Sequence, residues 1–193
     1  MVGNDADGVE RVLVGGGLVC PACDGGRLGP WGWGRVRVLR RRGIEERWRP
    51  RRSRCASCGA THVLLPVRAL LRRRDAVEVI GAALAAKASG VGHRRIAREL
   101  GVPATTVRGW LRRFASRAGF LRGQFMALAH LVDRDLGRVE PGGSPVADAL
   151  EAIGVAASAV ARRFGPAPVW WFASGASAGG LLGNTNSPFP LVG

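Results

Sequence analysis

The sequence predicts an α+β chain: a small four-cysteine unit on short antiparallel strands, then an all-α unit of three helices, then a helical C-terminal extension. Two Cys-x-x-Cys pairs, Cys20/Cys23 and Cys55/Cys58, bracket segments of period-two alternation. From residue 75 onward, apolar residues recur at helical spacing. The length of 193 residues fits one or two small domains. With 47% hydrophobic and 22% charged residues, a packed core is expected and a disordered polycation is excluded.

Residues 1–17 read as a flexible N-terminal segment, and 18–68 as the cysteine unit. Each two-residue spacer lets a tight knuckle turn two thiolates toward one ion, so Cys20, Cys23, Cys55 and Cys58 form a tetrahedral Zn2+ ligand set. Redox-active pairs or disulfides compete with this reading. Gly25, Gly26 and Gly59 stand just past the knuckles, where tight turns favour positive φ. Strand candidates are Arg35–Arg40, Arg47–Arg49 and Thr61–Leu65, with a long hairpin expected around residues 29–34. His62, beside the second knuckle, reads as structural because four thiolates complete the shell.

The net charge of +15 is guanidinium, since Lys87 is the only lysine. Residues 27–74 carry +13 of it and 75–123 another +6, while the two ends are weakly acidic. A field this concentrated points to a polyanion, and arginine suits phosphate because its planar fork donates two parallel hydrogen bonds. In the densest run, Arg49, Arg51 and Arg52 are the expected phosphate contacts of the ribbon.

The three-helix unit is placed at 72–118. Asp75 and Glu78 have capping-box spacing and open a helix over 75–89. A glycine break precedes a second helix over 93–100, with Ile96, Ala97 and Leu100 on one face. Gly101-Val-Pro103 stops it, and a third helix over 104–117 buries Val107, Trp110, Leu111 and Phe114. The opposite face of that helix shows Thr105, Arg108, Gly109, Arg112 and Arg113.

The run IARELGVPATTVRGWL, residues 96–111, resembles the tri-helical helix-turn-helix of resolvases, transposases and bacterial regulators. The resemblance implies that the third helix enters the major groove and the second crosses the backbone. Thr105, Arg108 and Arg112 would then meet base edges or phosphates, with Arg94, Arg95, Thr106 and Arg113 on the DNA side as well. Pro103 departs from the pattern, since a serine usually caps the recognition helix there. Gly109 costs about 1 kcal/mol inside a helix, which a close approach of DNA would explain. Together with CPAC, WGWGRVRVLR, RRSRCASCGATHVLLP, GHRRIARELG, TTVRGWLRRF and LLGNT, the chain resembles an actinobacterial zinc-ribbon plus helix-turn-helix family of unknown function. That family is similar to the DNA-binding N-terminal regions of insertion-sequence transposases, which implies a transposase or integrase as a protein partner.

A helical extension follows at 119–165, with helices over 118–139 and 145–164, the latter started by Ser144-Pro145. Residues 166–193 read as a Gly/Ala/Pro-rich tail whose Trp170-Trp171-Phe172 cluster fills core. The carboxylates Asp133, Asp135, Glu140, Asp148 and Glu151 lie in helical or turn sequence, and no nucleophile triad or phosphate-cradling loop appears, so no enzyme is expected. Prolines and glycines interrupt the longest uncharged run, so no membrane span is expected. The acidic start lacks the form of an export signal, and paired cysteines fit a reducing compartment, so the protein is expected in the cytoplasm, at the nucleoid.

The function these features predict is sequence-specific binding of double-stranded DNA, in transcription regulation or transposition. A homodimer would read half-sites about one DNA turn apart. Two alternatives are an accessory protein that docks a transposase or polymerase through its ribbon and aromatic segment, and an RNA binder that stacks bases on Trp31, Trp33 and Trp48.

Overall fold

A computed structural model describes residues 1–183 of the chain. Its elements run α1 (Ala6–Val14), β1 (Leu28–Trp33), β2 (Arg37–Arg41), β3 (Ile44–Trp48), β4 (Arg51–Cys55), β5 (Thr61–Leu64), α2 (Val77–Ala88), α3 (His93–Leu100), α4 (Ala104–Ala115), α5 (Ala118–Val132), α6 (Pro145–Phe164) and α7 (Val169–Ala176). No helix among the described residues is long and apolar enough to cross a membrane.

The strands form two sheets. Antiparallel β1, β4 and β5 make one, in the order β1-β4-β5, and the β2–β3 hairpin makes the other. The hairpin turns at Arg42 and Gly43, both at positive φ (33° and 81°), as a two-residue loop with matching twist requires. The long hairpin expected around 29–34 is therefore corrected. Residues 29–33 lie in strand β1, and the hairpin turn is at Arg42–Gly43. Glycine and proline read as turn residues, yet Pro30 is placed where the β1–β4 register slips, so its missing N–H costs the ladder little.

Each sheet serves its own core. Leu13, Cys20, Leu28, Cys55 and Leu64 are buried together beneath the three-stranded sheet, while Leu39 of β2 is buried among the helices, with Trp48 of β3 packed against them. The thirty-one residues between the knuckles thus hold β1, a hairpin lent to the helical core, and β4. Arg40 fastens that hairpin. Its Nε lies 3.1 Å from Asp75 Oδ1, and backbone bonds run from Arg40 N to Arg74 O and from Ala76 N to Arg40 O.

This pairing corrects the capping box. Asp75 does not cap α2, whose N-cap is Ala76 with no side-chain acceptor, because its carboxylate is drawn to the guanidinium of Arg40. The expected flexible segment at residues 1–17 is likewise corrected. It holds α1, capped by Asp5 Oδ1 accepting from Asp7 N, with Leu13 fully buried.

Helices α2, α3 and α4 bury Ile80, Leu84, Ile96, Val107, Trp110 and Phe114 together. Gly101 ends α3 at φ 64° and ψ 34°, a left-handed C-cap that satisfies carbonyls of Ala97 and Arg98. Ser144 accepts from Ala147 N at the start of α6, with Pro145 in the first turn, as its sequence predicts. The alanine face of α6 packs on α5. In the stretch read as a tail, α7 and buried Leu181 and Leu182 close the core. Trp170 lies over Gly81, where any Cβ would strike its ring, and Phe172 packs tilted on Phe125 with ring centroids 5.9 Å apart. The rest of that tail, 184–193, lies outside the described residues.

Candidate metal centre and nucleic-acid interface

Strand register brings the knuckles together: Leu28 of β1 pairs with Cys55 at the end of β4, and Ala56 N donates to Arg27 O between the two loops. The sulfurs of Cys20, Cys23, Cys55 and Cys58 all lie within 4.8 Å of one another. Cys23 and Cys55 are 3.6 Å apart and Cys20 and Cys58 are 3.8 Å apart. Sulfurs ligating a tetrahedral zinc at about 2.3 Å stand roughly 3.8 Å from each other, so the donor set fits that ion. All four cysteines are free thiols in this arrangement.

The backbone prepares the sulfurs for charge. Ala22 N donates to Cys20 Sγ at 3.3 Å and Cys58 N to Cys55 Sγ at 3.5 Å. The N–H groups of Cys58 and Ser57 draw the Cys55 thiol down to about 6, whereas hydrogen bonding to Cys58 and Cys55 pushes Cys23 up to about 12. Four thiols this close cannot all ionise unaided, and a divalent cation that binds thiolates removes the penalty. Gly26 completes the cradle: a Cβ there would lie 2.6 Å from both Cys23 Sγ and Cys55 Sγ. His62 Nε2 is 3.5 Å from Cys20 Sγ. With that nitrogen protonated, it donates to the sulfur, which suits a residue outside the ligand set.

The basic residues separate into occupied and outward-facing groups. Arg51 was expected to grip phosphate, and the structure occupies it instead. Its Nε and Nη2 donate to the two Glu10 carboxylate oxygens at 2.7 and 2.8 Å, and its Nη1 donates to Gly32 O at 2.6 Å. Only 13% of that side chain is exposed. Arg49 is exposed, with Nε on Gly34 O, and Arg52 is half-buried on β4. On α3, Arg94 and Arg95 are exposed, and Arg95 pairs with Glu99 one turn on. On α4, Thr105, Arg108, Arg112 and Arg113 are exposed and Thr106 is half-buried. Arg113 Nη1 donates to Gly109 O at 3.2 Å. Helix α4 opens on Pro103 with no side-chain cap, as the departure from the serine pattern implies.

The Glu10–Arg51 pair sets an acid limb. Hydrogen bonding to Arg51 holds the Glu10 carboxyl below its ordinary 4.5. A depressed folded-state pKa contributes stability that is complete above 4.5 and disappears as pH falls through the lowered value. Glu10→Gln should therefore melt below the parent protein at pH 7, with the gap closing under acid. A gap that stays constant from pH 7 to pH 3 contradicts the assignment.

Trp31 and Trp33 are 47% and 51% exposed, with Arg54 and Arg51 stacked over them at 4.7 and 4.9 Å. The two residues are two apart on a strand and share a face, so a strand assignment over 28–33 would have revealed them. Of the five carboxylates that follow the three-helix unit, Asp133 pairs with Arg162, Glu140 with Arg138, and Asp148 accepts from Gly143 N.

No curated protein and no solved structure matches the chain. A family model described as a homeodomain-like domain matches residues 71–122, the stretch that holds α2, α3, α4 and the start of α5.

Proposed function

We propose that the chain is a zinc-stabilised, sequence-specific, non-catalytic DNA-binding protein of the nucleoid, serving transcription regulation or transposition. The observation that carries this reading is the outward face of α4 within the homeodomain-like match. Thr105, Arg108 and Arg112 are exposed there, opposite buried Val107, Trp110 and Phe114. From Gly101 to Val132 the sequence has no carboxylate to neutralise them. Arg108 and Arg112 suit bidentate bonds to guanine edges, while Arg49, Arg52, Arg94, Arg95, Thr106 and Arg113 hold phosphates. Zinc on the four cysteines would supply folding free energy to the three-stranded sheet, whose own core is small.

Binding of the full chain to duplex should weaken linearly in log–log salt plots, with a slope of roughly −0.9 per phosphate neutralised. A flat response in a fluorescence-anisotropy titration contradicts the reading. Arg108→Ala should cost about 1 to 3 kcal/mol on the preferred duplex and little on scrambled sequence, whereas Arg52→Ala should weaken both alike. Equal patterns for the two variants refute this division of labour.

Gly109 offers a separate check. A Cβ there meets only the far end of Arg113, at 3.0 Å. Gly109→Ala should therefore stabilise α4 by up to about 1 kcal/mol. If duplex passes close over this turn, the same variant binds it more weakly. A variant that gains both stability and affinity removes the close approach.

A second reading is favoured by the exposed Trp31 and Trp33, which could stack unpaired bases. Competition between single-stranded RNA and duplex DNA separates the two. The accessory reading, with a transposase or integrase as partner, retains only the ribbon as a docking surface, because Trp170, Trp171 and Phe172 pack against the helical core.

A further inference from the structure

At the C-terminal end of α4, Arg113, Ser116 and Arg117 face Arg72, Arg73 and Gly183 across an open cleft of about 520 Å³. Among the described residues, four arginines line it and no carboxylate does. The described stretches that meet there, 63–74, 101–132 and 165–183, contain no acidic side chain.

The cleft holds its charge at a cost. Arg72 is one of three non-glycine residues at positive φ among those described, at 57°, and such backbone persists where the surroundings over-determine it. Arg73 is half-buried, its Nε has no hydrogen-bond partner, and only its Nη1 is engaged, on Arg72 O. Burial, followed by repulsion from Arg113, lowers the Arg73 pKa, which is the mark of a cation lacking a counter-ion. Gly183, at φ 69°, brings backbone against Arg117, where a Cβ would lie 3.0 Å from its Cδ.

We infer that this cleft is a phosphate-binding site, with Arg72 and Arg73 joining Arg113 and Arg117 around one phosphoryl group. Two sources share that chemistry. One is a backbone phosphate of duplex held by α4, which rests on the DNA-binding reading. The other is a free polyphosphate of the nucleotide class, which does not.

Arg72→Gly separates binding from folding, because glycine keeps the positive φ and removes only the guanidinium. Arg73→Gln is the companion variant, and Arg138→Gln, at an exposed pair with Glu140, is the control. The full chain and each variant are titrated with inorganic tripolyphosphate by calorimetry and with duplex by anisotropy at several salt concentrations. If the source is free polyphosphate, the parent binds tripolyphosphate and Arg72→Gly and Arg73→Gln lose about tenfold or more. If it is DNA, tripolyphosphate binds poorly, and both variants weaken all duplexes alike while reducing the salt slope by about 0.9. Tripolyphosphate binding without any duplex binding upholds the cleft and sinks the DNA-binding reading. Variants that match the control in both titrations, with unchanged melting curves, overturn the inference.

Discussion

Gly26→Ala should abolish tight zinc binding although it removes no ligand. The added methyl would stand 2.6 Å from two sulfurs, so Cys23 and Cys55 must move apart and their tetrahedral edge opens. The consequence extends beyond the knuckle, because Cys20 and Cys55 are themselves two of the five residues buried beneath the β1-β4-β5 sheet. Structural zinc contributes roughly 10 kcal/mol or more to small domains of this kind, far above what five buried residues supply. Chelation of the parent protein and the Gly26→Ala variant should therefore converge on one state. In it the signals of Trp31 and Trp33 become those of unfolded chain, while the helices keep their circular dichroism. Elemental analysis giving one zinc per chain in the variant, with parent-like melting, contradicts this assignment.

Arg40→Leu should cost the helical body about 2 to 3 kcal/mol at neutral pH. That is below the roughly 3 to 5 kcal/mol for breaking a fully buried pair, because 39% of the Arg40 side chain remains in water while only 5% of Asp75 does. Burial raises the Asp75 carboxyl above its ordinary 3.8 despite the opposing pull of Arg40. A raised acid pKa favours the folded state below 3.8 and disfavours it as pH climbs through the folded value. Removing the cation widens that window. The deficit of Arg40→Leu against the parent should thus be full at pH 7 and shrink on acidification, and Asp75→Asn placed on top of Arg40→Leu should recover part of it at pH 7. Denaturant melts across this pH range decide the matter: a deficit independent of pH would show that Arg40 acts through packing alone.

The helices were legible because their punctuation is local. The span of α3 follows from the glycine break before it and Gly101 after it, and that of α6 from Ser144-Pro145. The cysteine cluster was legible because its spacing is itself the geometry. What misled were residues whose partners are distant in sequence. Asp75 looks like a cap until Arg40, thirty-five residues earlier, arrives on a hairpin. Arg51 looks like a phosphate ligand until Glu10 arrives on α1. The arginine run over 51–54 reads as a charged face, yet β4 is the central strand of its sheet, with Ser53 buried and Arg51 spent on an ion pair. No period-two pattern survives when a strand's inward positions are occupied by serine and cysteine.

The account stands or falls on whether α4 reads a duplex. Selection from a pool of random duplexes with zinc-loaded full-length protein tests this most directly. The arrangement of Thr105, Arg108 and Arg112 predicts an enriched motif whose contacted positions fade in a parallel selection with Arg108→Ala. A pool that stays random through successive rounds, or the same motif emerging unchanged from the variant, contradicts it.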